Sequence, residues 1–391
     1  MIGRARSRSV IVGSGGAGRA GRSRLTAAKT TAAIAAATVA VVFAAINLLR
    51  PARPAPPLPT MTDLERARPI IEHSPLTYPN LAHRGDKALL FSAAGHAMLM
   101  YGRMGRSWIA MGDPVGPEAE AREVLRRFRE QCDRFDGWMV VFEARAERLA
   151  WYEELGLVYT KVGEEARVEL ASFDLERSEL ARLRQKRAKL QRRMCRFEIL
   201  QAEAVPRALG ELERVSDAWL SRKRTHEKNF SSASFDEAYL ARFPVAVVRR
   251  GGEIIAFANL WLGADKEELS VDLMRHLPQA PNGTMDFLFT ELLLWARGAG
   301  YRWFNFGMAP LSGLDAHKDA PLWHRLGTFV YRHGEHFYNF RGLRTFKAKF
   351  QPVWTPLYLA SPGGAALPAI ALDVTALVAG GYAAIVTKRA A

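Results

Sequence analysis

From residue 61 onward the chain alternates short apolar runs with polar stretches of helical period. KALLFS, HAMLMYG and SWIAMGDPVG predict three successive strands, turning at Gly95 and Gly105. Residues 117–135 place Val124, Leu125 and Phe128 on one helical face. GWMVVFEA predicts a buried strand, ERLAWYEELG a helix stopped by Gly156, and LVYTKVG with ARVELASF a strand pair. A basic helix is expected from about Leu175 to Met194, then a helix over 204–221. FPVAVVRRGGEIIAFANLWLG predicts a hairpin turning at Gly251-Gly252, and ELSVDLMRH the next strand. GTMDFLFTELLLWARGAG predicts an amphipathic helix with a glycine C-cap, and YRWFNFGMAP a strand leaving the core.

Charge and composition add the flanks. The 391 residues suit two or three domains, and 49% apolar content rules out wholesale disorder. No acidic residue precedes Asp63, so residues 1–62 carry +9 of the net +15. Such charge favours an anionic partner: nucleic acid, a membrane surface or a phosphorylated substrate. Residues 1–29 are expected to be a basic disordered arm. Within it Gly13-x-Gly15-x-x-Gly18 mimics a dinucleotide fingerprint, but no acidic residue follows at the distance a ribose needs. Residues 30–49 are uncharged and just long enough for a membrane segment, and 50–60 form a Pro-rich linker. The tract 363–387 predicts a C-terminal amphipathic helix, within 363–391, that packs on the domain or lies at a lipid surface. Two cysteines give no thiolate zinc site, and His333-x-x-His336 is the one histidine pair at ligand spacing.

The second half runs hairpin, helix, strand, which is the order of GNAT-type acyltransferases. Their Gly-rich pyrophosphate loop is missing before Gly283, so a donor other than a coenzyme A thioester is expected. LAHRGDKALLFS, MGDPVG, EKNFSSASFDEAYLARFPVAVVR, IAFANL, SVDLMRH, PNGTMDFLF, FNFGMAPLSGL, HGEHFYNFRGLRTFKAKFQPVW and PLYLASP follow in order from Leu81 to Pro362. Together they resemble the C-terminal catalytic region of bacterial phosphatidylglycerol lysyltransferases, the multiple peptide resistance factor family. The resemblance implies an α/β (α+β) fold of two tandem GNAT-like domains, 61–174 and a catalytic 197–362, joined by a basic linker helix at 175–196. It implies an aminoacyltransferase that moves an aminoacyl group, lysine first among the options, from aminoacyl-tRNA to the glycerol hydroxyl of phosphatidylglycerol. That transesterification needs no metal, redox cofactor or ATP. The product adds positive charge to the membrane and so resistance to cationic peptides. Flipping the lipid would fall to a separate flippase.

On this resemblance Asp272 is expected as base or orienter, Arg275 as phosphate or carbonyl ligand, and Lys347 as the third catalytic group. RGLRTFKAKF is expected as a strand presenting Lys347 and Lys349 on one face, with Arg341 and Arg344 nearby. Asn305, Met308 and Ser312 are expected after a strand at 302–306, where GNAT sheets splay. Glu227 and Asp286 are candidates to hold a substrate amine. Arg182, Arg184, Lys186, Arg187, Lys189, Arg192 and Arg193 carry seven positive charges with no acid among them, a candidate tRNA contact. Charged tRNA exists only inside the cell, so the domain is expected on the cytoplasmic face of the bacterial membrane, although the flanking arginines taken alone point the other way. Two other readings stand beside this one: transfer to a peptidoglycan or peptide amine, and a non-catalytic, membrane-tethered tRNA-binding protein.

Overall fold

The computed structural model describes residues 54–223, 230–231, 234–313 and 340–383. The arm, the apolar segment 30–49, Glu227, His333 and His336 lie outside these residues. The described residues all fall in one compact unit.

The strand order explains how one sheet serves the whole unit. Strands β1 (Ala88–Phe91), β2 (Met98–Met104) and β3 (Ser107–Met111) pair antiparallel. Helix α1 (Met61–Glu72) precedes them, with a Thr60–Asp63 capping box. Helix α2 (Glu118–Arg134) then crosses to β4 (Trp138–Arg145), which pairs parallel to β3. Val124, Leu125 and Phe128 of α2 are buried as their spacing predicts. A short helix α3 (Leu149–Glu154) leads to β5 (Val158–Glu169), and the basic helix α4 (Ala181–Arg192) follows.

The second half repeats the order. Strands β6 (Cys195–Leu200), β7 (Val245–Arg250), β8 (Glu253–Leu262) and β9 (Glu268–His276) pair antiparallel. Helices α5 (Val205–Lys223) and α6 (Glu237–Leu240) lie between β6 and β7. The β7–β8 turn uses Gly251 and Gly252 at φ 60° and 89°, which a two-residue hairpin of this hand requires. Helix α7 (Thr284–Gly298) crosses to β10 (Trp303–Pro310), which pairs parallel to β9. Helix α8 (Phe340–Ala348), β11 (Val353–Ser361) and helix α9 (Leu367–Ala379) complete the described chain.

Two tandem domains joined by a basic helix were the expectation; in the structure a single sheet runs through both halves. Among the described residues its eleven strands run β1-β2-β3-β4-β11-β5-β10-β9-β8-β7-β6. The last strand returns to sit between β4 and β5, while β5 pairs β10, so the halves share one sheet. Nor is 157–173 a strand pair: β5 runs unbroken through Gly163. A Cβ there would lie 2.6 Å from the Ala309 carbonyl oxygen, so this glycine serves close approach of β10 and not a turn. Side chains also tie the halves: buried Glu268 accepts from Thr77 N at 3.1 Å and Thr77 Oγ1 at 2.7 Å, and pairs with Arg167 at 3.1 Å.

Residues 340–348 form a helix where a strand was expected. The alternation of Lys347 and Lys349 with aromatic residues spans too few positions to set a period. Leu343, Phe346 and Phe350 recur at helical spacing, and both phenylalanines pack on Phe289 of α7. Helix α9 buries Ile370, Val374 and Ala376, and its one acid, Asp373, is turned inward to accept from Ser107 Oγ at 2.7 Å. Among the described residues, no helix is long and apolar enough to cross a membrane.

Candidate active site

The parallel strands β9 and β10 stay paired for three residues, ending at Ser270 and Asn305, and then part. Asn305 marks the parting. Its side-chain oxygen accepts from Gly307 N at 2.7 Å, and its Nδ2 donates to Glu165 at 2.8 Å. The pairing of β10 with β5 shifts register between Asn305 and Met308. Lys347 reaches in from α8 and donates to the carbonyls of Gly307 and Met308 at 2.9 and 2.8 Å. A buried ammonium thus pins the strand where it bends away.

Lys347 as a residue is 4% exposed. Burial pushes its ammonium down to about 7, against the opposing charges of Glu143 and Glu165. Burial likewise pushes the Glu143 carboxyl up to about 7, reinforced by Glu165 and opposed by Lys347 and Arg145. Glu143 sits at φ 65°, a left-handed backbone in a residue other than glycine, at the point where the β4–β11 register shifts. Glu165 is gripped by Arg145 at 2.9 Å to each carboxylate oxygen.

On the β9 side of the parting stands Asp272. The Tyr239 hydroxyl donates to it at 3.0 Å, and Trp261 Nε1 donates to that hydroxyl at 2.9 Å. Burial and the Asp272 charge push the Tyr239 phenol well above its ordinary value, so it stays a donor. Arg275, 3% exposed, donates to Ser216 Oγ and lies 5.3 Å from the Trp219 ring centroid, both on α5. The two are therefore engaged by different elements, Asp272 by α6 and Arg275 by α5.

Two further clusters complete the surroundings. Glu164 of β5 accepts from Ser312 Oγ at 2.6 Å, Lys161 Nζ at 2.8 Å and Arg344. Burial acts to raise this carboxyl, but the hydrogen bonds from Lys161 and Ser312 hold it below the usual range. The Arg344 guanidinium also lies over Trp354 at 4.4 Å. Asp286, on the first turn of α7, accepts from Lys186 at 2.8 Å and Lys349 at 2.7 Å. Asp286 is thus engaged by two lysines of the chain itself, and Lys349 points to it instead of sharing a strand face with Lys347.

The basic helix divides in the same manner. Arg187 pairs with Glu291 at 2.8 Å, Lys186 with Asp286, and Arg184 donates to Leu175 O. Arg182, Lys189, Arg192 and Arg193 are exposed. Arg182, Lys189 and Arg193 recur every seven or four residues, so they line one stripe.

Asn305, Met308 and Lys347 are brought together, as are Ser312 and Arg344; the groups that join them went unread in the sequence. These are Glu143, Arg145, Glu164 and Glu165; Tyr239, which donates to Asp272, went unread as well. The carboxylate doublet Glu164-Glu165 in mid-strand is the signal that could have found the central pair.

A mixed α/β sheet whose two parallel strands part after three residues, with buried carboxylates and a buried lysine at the parting, defines the class of fold and the candidate site. The family model described as phosphatidylglycerol lysyltransferase, C-terminal, matches residues 68–361, and the chain belongs to that family. A phosphatidylglycerol lysyltransferase of Bacillus subtilis is 35% identical over 300 residues, 76% of this chain and 35% of that protein. One from Staphylococcus aureus is 32% identical over 300 residues, 76% of this chain and 36% of that protein. The chain thus spans about a third of the length of these curated relatives. The crystal structure of a C-terminal domain assigned to a lysylphosphatidylglycerol synthetase of Agrobacterium fabrum is 41% identical, with a TM-score of 0.76, over 82% of this chain and 98% of that one. The L-PGS structure from Bacillus licheniformis is 33% identical, with a TM-score of 0.76, over 84% of this chain and 100% of that one.

Proposed function

We propose that this chain is a tRNA-dependent aminoacyltransferase that moves a lysyl group from aminoacyl-tRNA to the glycerol hydroxyl of phosphatidylglycerol. The observation that carries the reading is the parting of β9 and β10, with Asp272 on one side and the Lys347-pinned carbonyls on the other. The repeated order of strands and crossover helix in each half supports a descent from two GNAT-like units.

In this reading the acceptor hydroxyl enters the opening beside Asp272, which takes its proton. The hydroxyl oxygen bonds to the aminoacyl carbonyl carbon. The ester bond to the tRNA ribose breaks, and the ribose oxygen receives the proton. One ester replaces another, so nothing is oxidised or reduced. Lys347 holds the bend of β10 in place, and Arg275 is the proposed ligand of a phosphate or carbonyl at the end of β9. The stripe Arg182, Lys189 and Arg193, with Arg192 beside it, faces solvent and suits a phosphate backbone. A lipid acceptor and a tRNA donor place the enzyme at the cytoplasmic face of the membrane, working with a separate flippase.

The test is direct. Lipids extracted from cells expressing the full chain are separated by thin-layer chromatography and stained with ninhydrin. A new ninhydrin-positive phospholipid, lost in Asp272→Asn, supports the proposal. Its absence from cells that accumulate folded protein refutes it.

A further inference from the structure

The pairing of β8 with β9 breaks at the residue on which the reaction above relies. Ala258 pairs with Met274 and Leu260 with Val271, so Asp272 and Leu273 stand together opposite Asn259. The extra residue on β9 makes a β-bulge, which bends its strand, leaves a backbone group without a ladder partner and re-aims a side chain. Asn259 supplies the missing partner. Its Oδ1 accepts from Leu273 N at 2.7 Å, and both residues are buried. This donor fixes the orientation of the amide, because Nδ2 in the same place would set donor against donor.

The other strand at the opening is built in the same way. Asn305 pairs with Arg167 and Met308 with Glu165, so Phe306 and Gly307 stand together opposite Ala166. There Asn305 Oδ1 accepts from Gly307 N, also at 2.7 Å. The last β9–β10 pair is Ser270 with Asn305, and each strand bulges just beyond it. An asparagine oxygen holds each bulge. The two asparagines differ in their nitrogens. Asn305 Nδ2 donates to Glu165, whereas Asn259 Nδ2 is buried and has no hydrogen-bond partner among the described residues. A buried donor left unpaired costs about 1–3 kcal/mol. An amide that satisfies one buried donor and strands another gains the fold little, so its use lies in where it puts its oxygen, at the peptide that follows Asp272.

We propose that Asn259 is a positioning residue for Asp272: by holding Leu273 N–H it sets the bulge that turns the Asp272 carboxylate toward the opening. The inference rests on the acyl-transfer reading of Asp272 given above. Asn259 itself touches no reacting atom. It acts through the backbone of β9, as Asn305 does through that of β10.

The experiment compares full-length wild type, Asn259→Leu, Asp272→Asn and the double variant in lysyl transfer from lysyl-tRNA to phosphatidylglycerol vesicles. Leucine keeps the approximate size of the side chain and removes its acceptor. Asn259→Leu is expected to lower kcat at least about tenfold and to leave KM for lysyl-tRNA within about twofold, because a displaced base weakens the chemical step and not the binding of the donor. In the Asp272→Asn background the same change is expected to cost less than about twofold, since the group it places is already gone. An unchanged kcat, losses that multiply in the double variant, or a KM that rises while kcat holds overturns the inference. A second readout needs no turnover: hydrogen exchange at the Leu273 amide, followed by NMR in leucine-labelled protein, its signal assigned with Leu273→Ile. Exchange about tenfold faster in Asn259→Leu supports the contact as the hold on the bulge, and unchanged exchange overturns it. Should Asn259→Leu not fold, Asn259→Ala, smaller and equally without an acceptor, takes the same comparisons. Should wild type transfer no lysyl group, or Asp272→Asn transfer it at the wild-type rate, the reading of Asp272 fails, and exchange at Leu273 alone decides whether Asn259 sets the bulge.

Discussion

Replacing Lys347 by methionine removes a buried ammonium while keeping its reach. The ordinary ammonium value is 10.5, and in the folded chain burial pushes it to about 7. Below pH 7 the folded and unfolded chains both carry this proton, and the folded chain bears the full cost of the buried charge. Between about 7 and 10.5 the folded chain has released the proton and the unfolded chain still holds it, so stability rises with pH through this window. Each tenfold in proton affinity is worth about 1.4 kcal/mol, so from pH 7 to 9.5 the wild type gains about 3 kcal/mol that the variant cannot. At pH 7 itself two effects oppose. The variant escapes the charge burial but leaves the carbonyls of Gly307 and Met308 without their donor, at about 1–3 kcal/mol each. The difference between the two proteins at pH 7 is therefore expected within about 2 kcal/mol of zero. Loss of the Lys347 charge also leaves Glu143 harder to ionise, which lowers the variant further as pH rises. Urea unfolding of both full-length proteins at pH 7.0 and 9.5, followed by tryptophan fluorescence, reads the change. The variant is expected to fall behind wild type by about 3 kcal/mol more at pH 9.5 than at pH 7. A difference that is the same at both values refutes the assignment of Lys347 as a buried, proton-releasing amine.

Asp272→Asn keeps the fold and lowers lysyl transfer at least about tenfold, because an amide cannot take the hydroxyl proton; near-wild-type turnover in the folded variant removes Asp272 from the reaction. Replacing Arg182, Lys189, Arg192 and Arg193 together by Gln weakens tRNA binding and flattens its dependence on salt, by up to about 3 in log–log slope if all four meet phosphates. The same change at Lys186 and Arg187 lowers thermal stability instead, because those side chains hold Asp286 and Glu291 of α7. Glu143→Gln stabilises the fold above pH 7 and not at pH 4.5. The carboxyl, pushed up from 4.5 to about 7, holds a folded-state proton that the unfolded chain has lost, so wild-type stability falls as pH rises through that window. A variant whose melting temperature tracks wild type at both pH values contradicts this.

Hydrophobic period made most single elements legible. The strands from β1 to β4 and from β7 to β10, and helices α2, α5 and α7, fall within a few residues of their expected places because each buries one face against its own neighbours. Two local misreadings have local causes. Gly163 has the look of a turn residue but is needed for contact with β10, and RGLRTFKAKF alternates over too short a run to reveal its helix. What the sequence could not show is pairing at long range. Nothing in PLYLASP says that its strand lies between β4 and β5, about 200 residues upstream. The candidate site follows the same division. Asp272, Asn305, Ser312, Arg344 and Lys347 were legible as polar residues at the ends of apolar segments or in a dense motif. Glu164, Glu165 and Tyr239 were not, because their roles depend on partners as far as 180 residues away in sequence.

The shared sheet also says why the first half is retained beside the half that holds the opening. Strand β5 belongs to the first half by sequence, but by pairing it is the neighbour of β10. It therefore delivers Glu164 and Glu165 to the edge of the opening, where they hold Ser312, Arg344 and Asn305. Strand β4 delivers Arg145 to fix Glu165 and Glu143 to oppose Lys347. A second half cut free at residue 197 would lose β5, exposing one edge of β10, and would lose every carboxylate that these side chains bond on that side. A buried ammonium such as Lys347, stripped of the carboxylates that oppose its charge, is costly enough to unfold a site. The bend of β10 is therefore a property of the joined sheet, set by charges that one half supplies and the other half needs.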